Sequence, residues 1–213
     1  MATKGTRRKK QEAPDPIRAA LDLAAERGWR DIGMADIAGR VGLSLNELRR
    51  QYPSKGALLD GLARRVDEAV LAGGPADADE RPRDRLFDVM MRRFDALVPY
   101  REGLRAVARD VGADPLSALG TARQLRRSMD WMLETARVGS SGLWGMAQAR
   151  GLLLVHLSVL RVWFEDDSPD LARTMAALDA RLRQAEELSN SVRGLSRFIP
   201  GNRGFRHGAA AAE

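Results

Sequence analysis

The residues best suited to chemistry in this chain stand together in one short segment, SLNELRRQYPSK, at positions 44–55. Asn46, Arg49, Arg50 and Gln51 are side chains that read nucleic acid. Arginine pairs bidentately with guanine, asparagine and glutamine pair with adenine, and each can hold phosphate. Residues three and four apart share a helical face, so Asn46, Arg49 and Arg50 form one candidate reading surface, with Leu45 and Leu48 flanking it or facing the core. Gln51, Tyr52 and Lys55 complete the expected DNA-binding set. Glu47 is out of place on such a surface, because phosphate repels a carboxylate. Its spacing from Ser44 reads instead as a capping box, in which serine caps the amide of 47 and glutamate reaches back to the amide of 44. The alternative use of Glu47 is to accept a hydrogen bond from a cytosine amino group. Lys55 opens the following helix, where a cation opposes the helix dipole unless an anion is bound there. A DNA phosphate would satisfy the lysine and the free amides together; a solvated lysine would leave both to water.

Helices must position these groups. Asp15 can cap a first helix that has Pro16 at its first position and carries Ile17, Ala20, Leu21 and Ala24 at helical spacing up to Gly28. A second short helix spans about Met34 to Arg40, Val41-Gly42-Leu43 makes a tight turn, and a third helix runs from Ser44 to Tyr52. Pro53 ends it, and Ser54 caps a fourth helix from Lys55 to about Leu71. Short helix, tight turn and second helix make a helix-turn-helix, which lays its second helix in the major groove. Ala38 is small at the helix crossing, Gly42 supplies the turn, and Ile37, Leu43 and Leu48 hold the angle.

The stretch AGGPADADERPRD (72–84) reads as the internal boundary. Beyond it, helices are expected near 83–99, 101–112, 116–137, 142–165 and 169–189. The division is therefore a basic arm at 1–14, a DNA-binding domain at 15–71, a second helical domain at 83–189 and a tail at 190–213. The fold class is all-α, with about nine helices. After Leu188 the chain reads as a frayed tail or a short basic amphipathic helix.

Charge supports the same partner. Lys+Arg 35 against Asp+Glu 29 gives a net charge of +6, which favours a polyanion. Arg7, Arg8, Lys9 and Lys10 in the arm could lie in the minor groove or hold phosphates; otherwise they form a solubilising tail. With no cysteine there are no disulfides, thiolate zinc sites or cysteine nucleophiles, and the composition fits a cytoplasmic protein. The start of the chain lacks the apolar core of a signal peptide. The apolar stretch 151–164 is shorter than the ~20 residues of a spanning helix and reads as a core helix.

Enzyme chemistry finds little support: there are two histidines and no nucleophile elbow, phosphate loop or zinc spacing. Gly139 to Gly142 reads as a helix connection, and the acidic run Glu165-Asp166-Asp167 with Asp170 reads as helix capping rather than a metal site. We expect no cofactor, metal or catalytic residue.

Residues 19–59 resemble the N-terminal domain of TetR-family transcriptional regulators. The resemblance rests on Gly28-Trp29, Ile37-Ala38, Gly42-Leu43-Ser44, Tyr52, Ser54-Lys55 and Leu58-Leu59. The chain departs from that pattern at Ile32-Gly33 before the second helix, at Asn46 and Glu47, and at Arg49 where the family often has tyrosine. The resemblance implies a homodimeric, ligand-responsive DNA-binding regulator of repressor type. Its C-terminal helical domain would bind an apolar effector and dimerise through the last two long helices. Trp131, Met132, Leu143, Trp144, Met146, His156, Trp163 and Phe164 are the candidates to line such a pocket; plain core is the alternative use of each. Residues 162–182 also resemble the last helices of the TetR-fold lipid-binding accessory proteins of ubiquinone biosynthesis, which implies an alternative with membrane contact and no DNA binding.

Overall fold

The computed structural model describes residues 15–111, 115–139 and 141–196. These form α1 (Pro16–Arg27), α2 (Met34–Val41), α3 (Leu45–Gln51), α4 (Lys55–Ala72) and α5 (Pro82–Leu97), then a 3-10 turn (Val98–Tyr100). α6 (Arg101–Val111), α7 (Pro115–Thr135), α8 (Gly142–Phe164) and α9 (Ala172–Ser196) follow, and no strand occurs among the described residues. The arm, with Arg7, Arg8, Lys9 and Lys10, lies outside them, as does the tail beyond Ser196.

Local chemistry sets the starts. Asp15 accepts the Arg18 amide at the head of α1, and its carboxylate also receives both Arg65 Nη atoms of α4 at 2.7 and 3.1 Å. One carboxylate thus starts a helix and ties it to another. Gly33 lacks a side chain to cap α2, but Asp36 Oδ2 accepts its amide at 2.7 Å, which supplies half of a capping box. Gly42 ends α2 in the left-handed region (φ 69°), and the Leu43 amide returns to Ala38 O at 3.0 Å.

α1, α2 and α3 pack as a small domain against the first half of α4, while α4 continues onto α5 and α7. α1 also packs on α6, so closely that a Cβ on Gly103 would lie 2.5 Å from Leu21 Cβ and O. One apolar cluster runs through both parts, from Ile17, Ile37 and Leu48 to Phe94, Met132, Trp163 and Leu178. The segment expected as a free boundary is pinned instead: the Ala76 amide donates to Thr135 O at 2.9 Å, and Arg92 Nη1 reaches Gly74 O at 2.9 Å.

One expectation near the C-terminus changes. α9 continues past Leu188 as one helix to Ser196, so the described part of the tail is neither frayed nor a separate helix. The helix expected at 142–165 is α8, 23 residues long and, by length and composition alone, apolar enough to cross a membrane. Its Leu152, Val155, His156, Val159 and Trp163 are nevertheless buried in the protein core.

Candidate nucleic-acid interface

α3 is held by its own first turn and by one buried leucine. Ser44 Oγ accepts the Glu47 amide at 3.2 Å, and Glu47 Oε2 accepts the Ser44 amide at 2.8 Å and the Ser44 hydroxyl at 2.6 Å. These bonds from Ser44 hold the Glu47 carboxyl below its ordinary value. Leu48 is fully buried, whereas Leu45, expected to flank the core, is exposed. Tyr52 is half-buried; its Cε1 stands where a Cβ on Gly61 would be 2.9 Å away, so the ring docks the end of α3 on α4.

What remains on the outer face is Asn46, Arg49, Arg50 and Gln51, all exposed. Asn46, Arg49 and Arg50 share a face of α3, with Glu47 turned back onto its own helix start. Two unneutralised guanidinium groups beside two amides can bind phosphate and base edges without first breaking an internal contact.

Lys55 does not join them. Its Nζ turns inward to donate to Trp29 O at 2.6 Å and Ile32 O at 3.0 Å, and it lies 4.9 Å from the centre of the Trp29 ring. Burial lowers its pKa, with Asp110 and Asp31 acting in the opposite direction. This ammonium closes the turn between α1 and α2. Its partners lie 26 and 23 residues earlier in the chain, so local spacing carried no sign of them.

Residues 17–62 match the family model of bacterial regulatory proteins, tetR family. Over these residues the chain is similar to that family. Solved structures extend the likeness to the whole fold. A TetR transcriptional regulator from Nitrosomonas europaea superimposes with a TM-score of 0.65 at 23% identity, over 81% of this chain and 96% of that one. One from Rhodococcus sp. RHA1 gives 0.59 at 18%, over 80% and 92%, and one from Streptomyces coelicolor gives 0.53 at 20%, over 88% and 92%. Among curated proteins, none matches.

Behind this domain, seven of the eight side chains expected to form a pocket separate into three groups. Met132 and Trp163 are fully buried core, and His156 is buried against Phe94 with ring centres 5.2 Å apart. Burial, with the positive charge of Arg93 adding to it, lowers the His156 pKa from 6.5 to about 3, so the ring is neutral. Arg101 stacks over Trp163 at 4.6 Å and donates to Asp166 O at 2.7 Å. Trp131 is 55% exposed, and Leu143 and Met146 also face outward. Of the expected set, Trp144 alone lines the cavity of about 700 Å³ that opens between α5, α7, α8 and α9. Helical periodicity identified apolar residues but not which neighbouring helix would cover each one.

The acidic run is a helix start. Asp166 accepts the Ser168 amide and, at 2.8 and 2.7 Å, the Thr174 amide and hydroxyl. Burial would raise this carboxyl, but the bonds from Ser168 and Thr174 outweigh it and hold the group well below its ordinary value.

Proposed function

We propose that the chain is a DNA-binding transcriptional repressor that acts as a homodimer and responds to a small molecule. The observation that carries this reading is the outer face of α3, where Arg49 and Arg50 stand exposed beside Asn46 and Gln51 on a TetR-family helix-turn-helix. A fold shared with TetR transcriptional regulators supports it.

The second subunit fits an apolar stripe. Leu143, Met146, Leu154 and Leu157 fall on one face of α8 and are exposed, Leu143 by 82% and Leu154 by 68%. Arg150 and Arg161 interrupt the stripe on the same face, and Leu188 of α9 is 71% exposed. Apolar patches with interspersed arginine suit a protein interface. Pairing through α8 and α9 sets two α3 helices on one side of a dimer, as two half-sites about one helical turn apart require. An effector would act by changing that separation.

Selection of duplexes from a randomised library by the full chain tests the reading. We expect enrichment of an inverted repeat, with affinity that falls steeply with salt. Arg49→Ala with Arg50→Ala should cost about 2–4 kcal/mol in binding. The lipid-binding alternative rested in part on a separate helix after Leu188, where the described residues continue α9. A chain that ignores duplex DNA at low salt and carries isoprenoid lipid through purification would overturn our reading in favour of that alternative.

A further inference from the structure

The cavity between α5, α7, α8 and α9 has apolar walls made by Leu86, Leu133, Leu152, Val155 and Leu182. A purely apolar ligand would need nothing more, yet Arg83, Arg85 and Arg137 also line the cavity, together with the carboxylate of Glu186. Glu186 lies 4.0 Å from Arg83, which is also paired with Asp84 at 3.3 Å, so Arg83 is largely neutralised. Arg85 has no carboxylate partner; its Nη1 donates to Ala78 O at 3.2 Å, and its Nε is buried with no partner. Gln148, on the α8 wall, likewise has a buried Oε1 without a partner. A buried guanidinium donor left open on the lining of a cavity is costly unless an acceptor there completes it.

We infer that this cavity takes an amphipathic organic acid, its apolar body against the leucine and valine wall and its carboxylate on Arg85. The volume suits a molecule of small-drug or medium-chain fatty-acid size. A carboxylate gains a charge-assisted bond from Arg85, and the unopposed charge of Arg137 adds long-range attraction. The inference rests on the reading of the chain as an effector-responsive regulator only in calling this molecule the effector. The pocket chemistry stands on the lining alone.

Titration calorimetry of the full chain without DNA tests it, with dodecanoate, methyl dodecanoate and dodecyl phosphate as probes. We expect dodecanoate to bind at least about tenfold more tightly than its methyl ester, the size of one charge-assisted hydrogen bond. Arg85→Met should abolish that preference while leaving ester binding in place, and Arg85→Lys should restore part of it. Should Arg85→Met fail to fold, Arg85→Gln is the second variant, expected to lose the same preference. Equal binding of acid and ester, binding of neither, or a preference that survives loss of the Arg85 charge in whichever variant folds would each overturn the inference. Tighter binding of the phosphate than of the carboxylate would overturn the assignment to an organic acid. Adding dodecanoate to a duplex complex separates the two readings. Binding in the cavity by a chain that never binds duplex DNA refutes the regulator alone, and a duplex-binding chain without acid preference refutes the pocket alone.

Discussion

Arg49 and Arg93 are the same side chain in opposite uses. Arg49 stands on the outer face of α3, exposed to solvent. Arg93 on α5 is buried at 1% exposure, donates to Asp67 Oδ1 of α4 at 2.5 Å, and lies close enough to depress the neighbouring His156. Ser128 of α7 donates to the same Asp67 oxygen, so one carboxylate joins α4, α5 and α7. Burial lowers the Arg93 pKa, with Asp67 acting in the opposite direction. The difference teaches that position in the bundle, not residue type, decides whether a charge is structure or site. Helix α4, which packs against α1 of the helix-turn-helix unit, is also the helix held by this buried pair.

The contrast can be broken most sharply at its buried end. Arg93→Leu leaves Asp67 charged and unpaired, and we expect a loss of about 3–5 kcal/mol in chemical denaturation. Next is the acid side of the same cluster. The folded His156 pKa is depressed below the unfolded value, so both states are neutral above pH 6.5 and the stability difference is complete there. As pH falls from 6.5 towards 3, the unfolded chain takes a proton that the folded chain refuses. Stability should therefore drop by up to about 1.4 kcal/mol per pH unit. His156→Leu should flatten that part of the melting-temperature profile, and an unchanged slope would show that the ring is not the source.

Lys55→Met separates structure from site directly. The inward geometry predicts a loss of about 1–2 kcal/mol in stability, from Trp29 and Ile32 carbonyls left without their donor. A variant of full stability that loses only duplex affinity would return Lys55 to the DNA contacts. Ser44→Ala should cost about 1 kcal/mol of stability by removing the α3 cap. The smallest effect belongs to the exposed end: Arg49→Ala with Arg50→Ala should shift the denaturation midpoint by less than about 0.5 kcal/mol. A large shift there would mean that these arginines support the fold.

Much of the architecture was legible before any coordinates. Pro16, Gly28, Gly42, Ser44, Pro53 and Ser54 mark helix ends by backbone chemistry that acts over a few residues, and the structure puts helix ends beside each of them. The capping of α3 by Ser44 and Glu47 is equally local, three residues apart. The missed features share a different origin. Lys55 and Arg93 find partners on other elements, and Trp131 and Trp163 differ in exposure although both sit on helices.

The sequence by itself determined the helices, the turn that sets α3 across α2, and the presence of arginines on α3, because caps, breakers and a 3.6-residue period are properties of neighbouring residues. Tertiary structure alone decided which cations remain available, which aromatic side chains line the cavity, and that Arg85 lines it too. Those outcomes depend on which helix covers which face, and that choice is settled by packing among residues far apart in the chain.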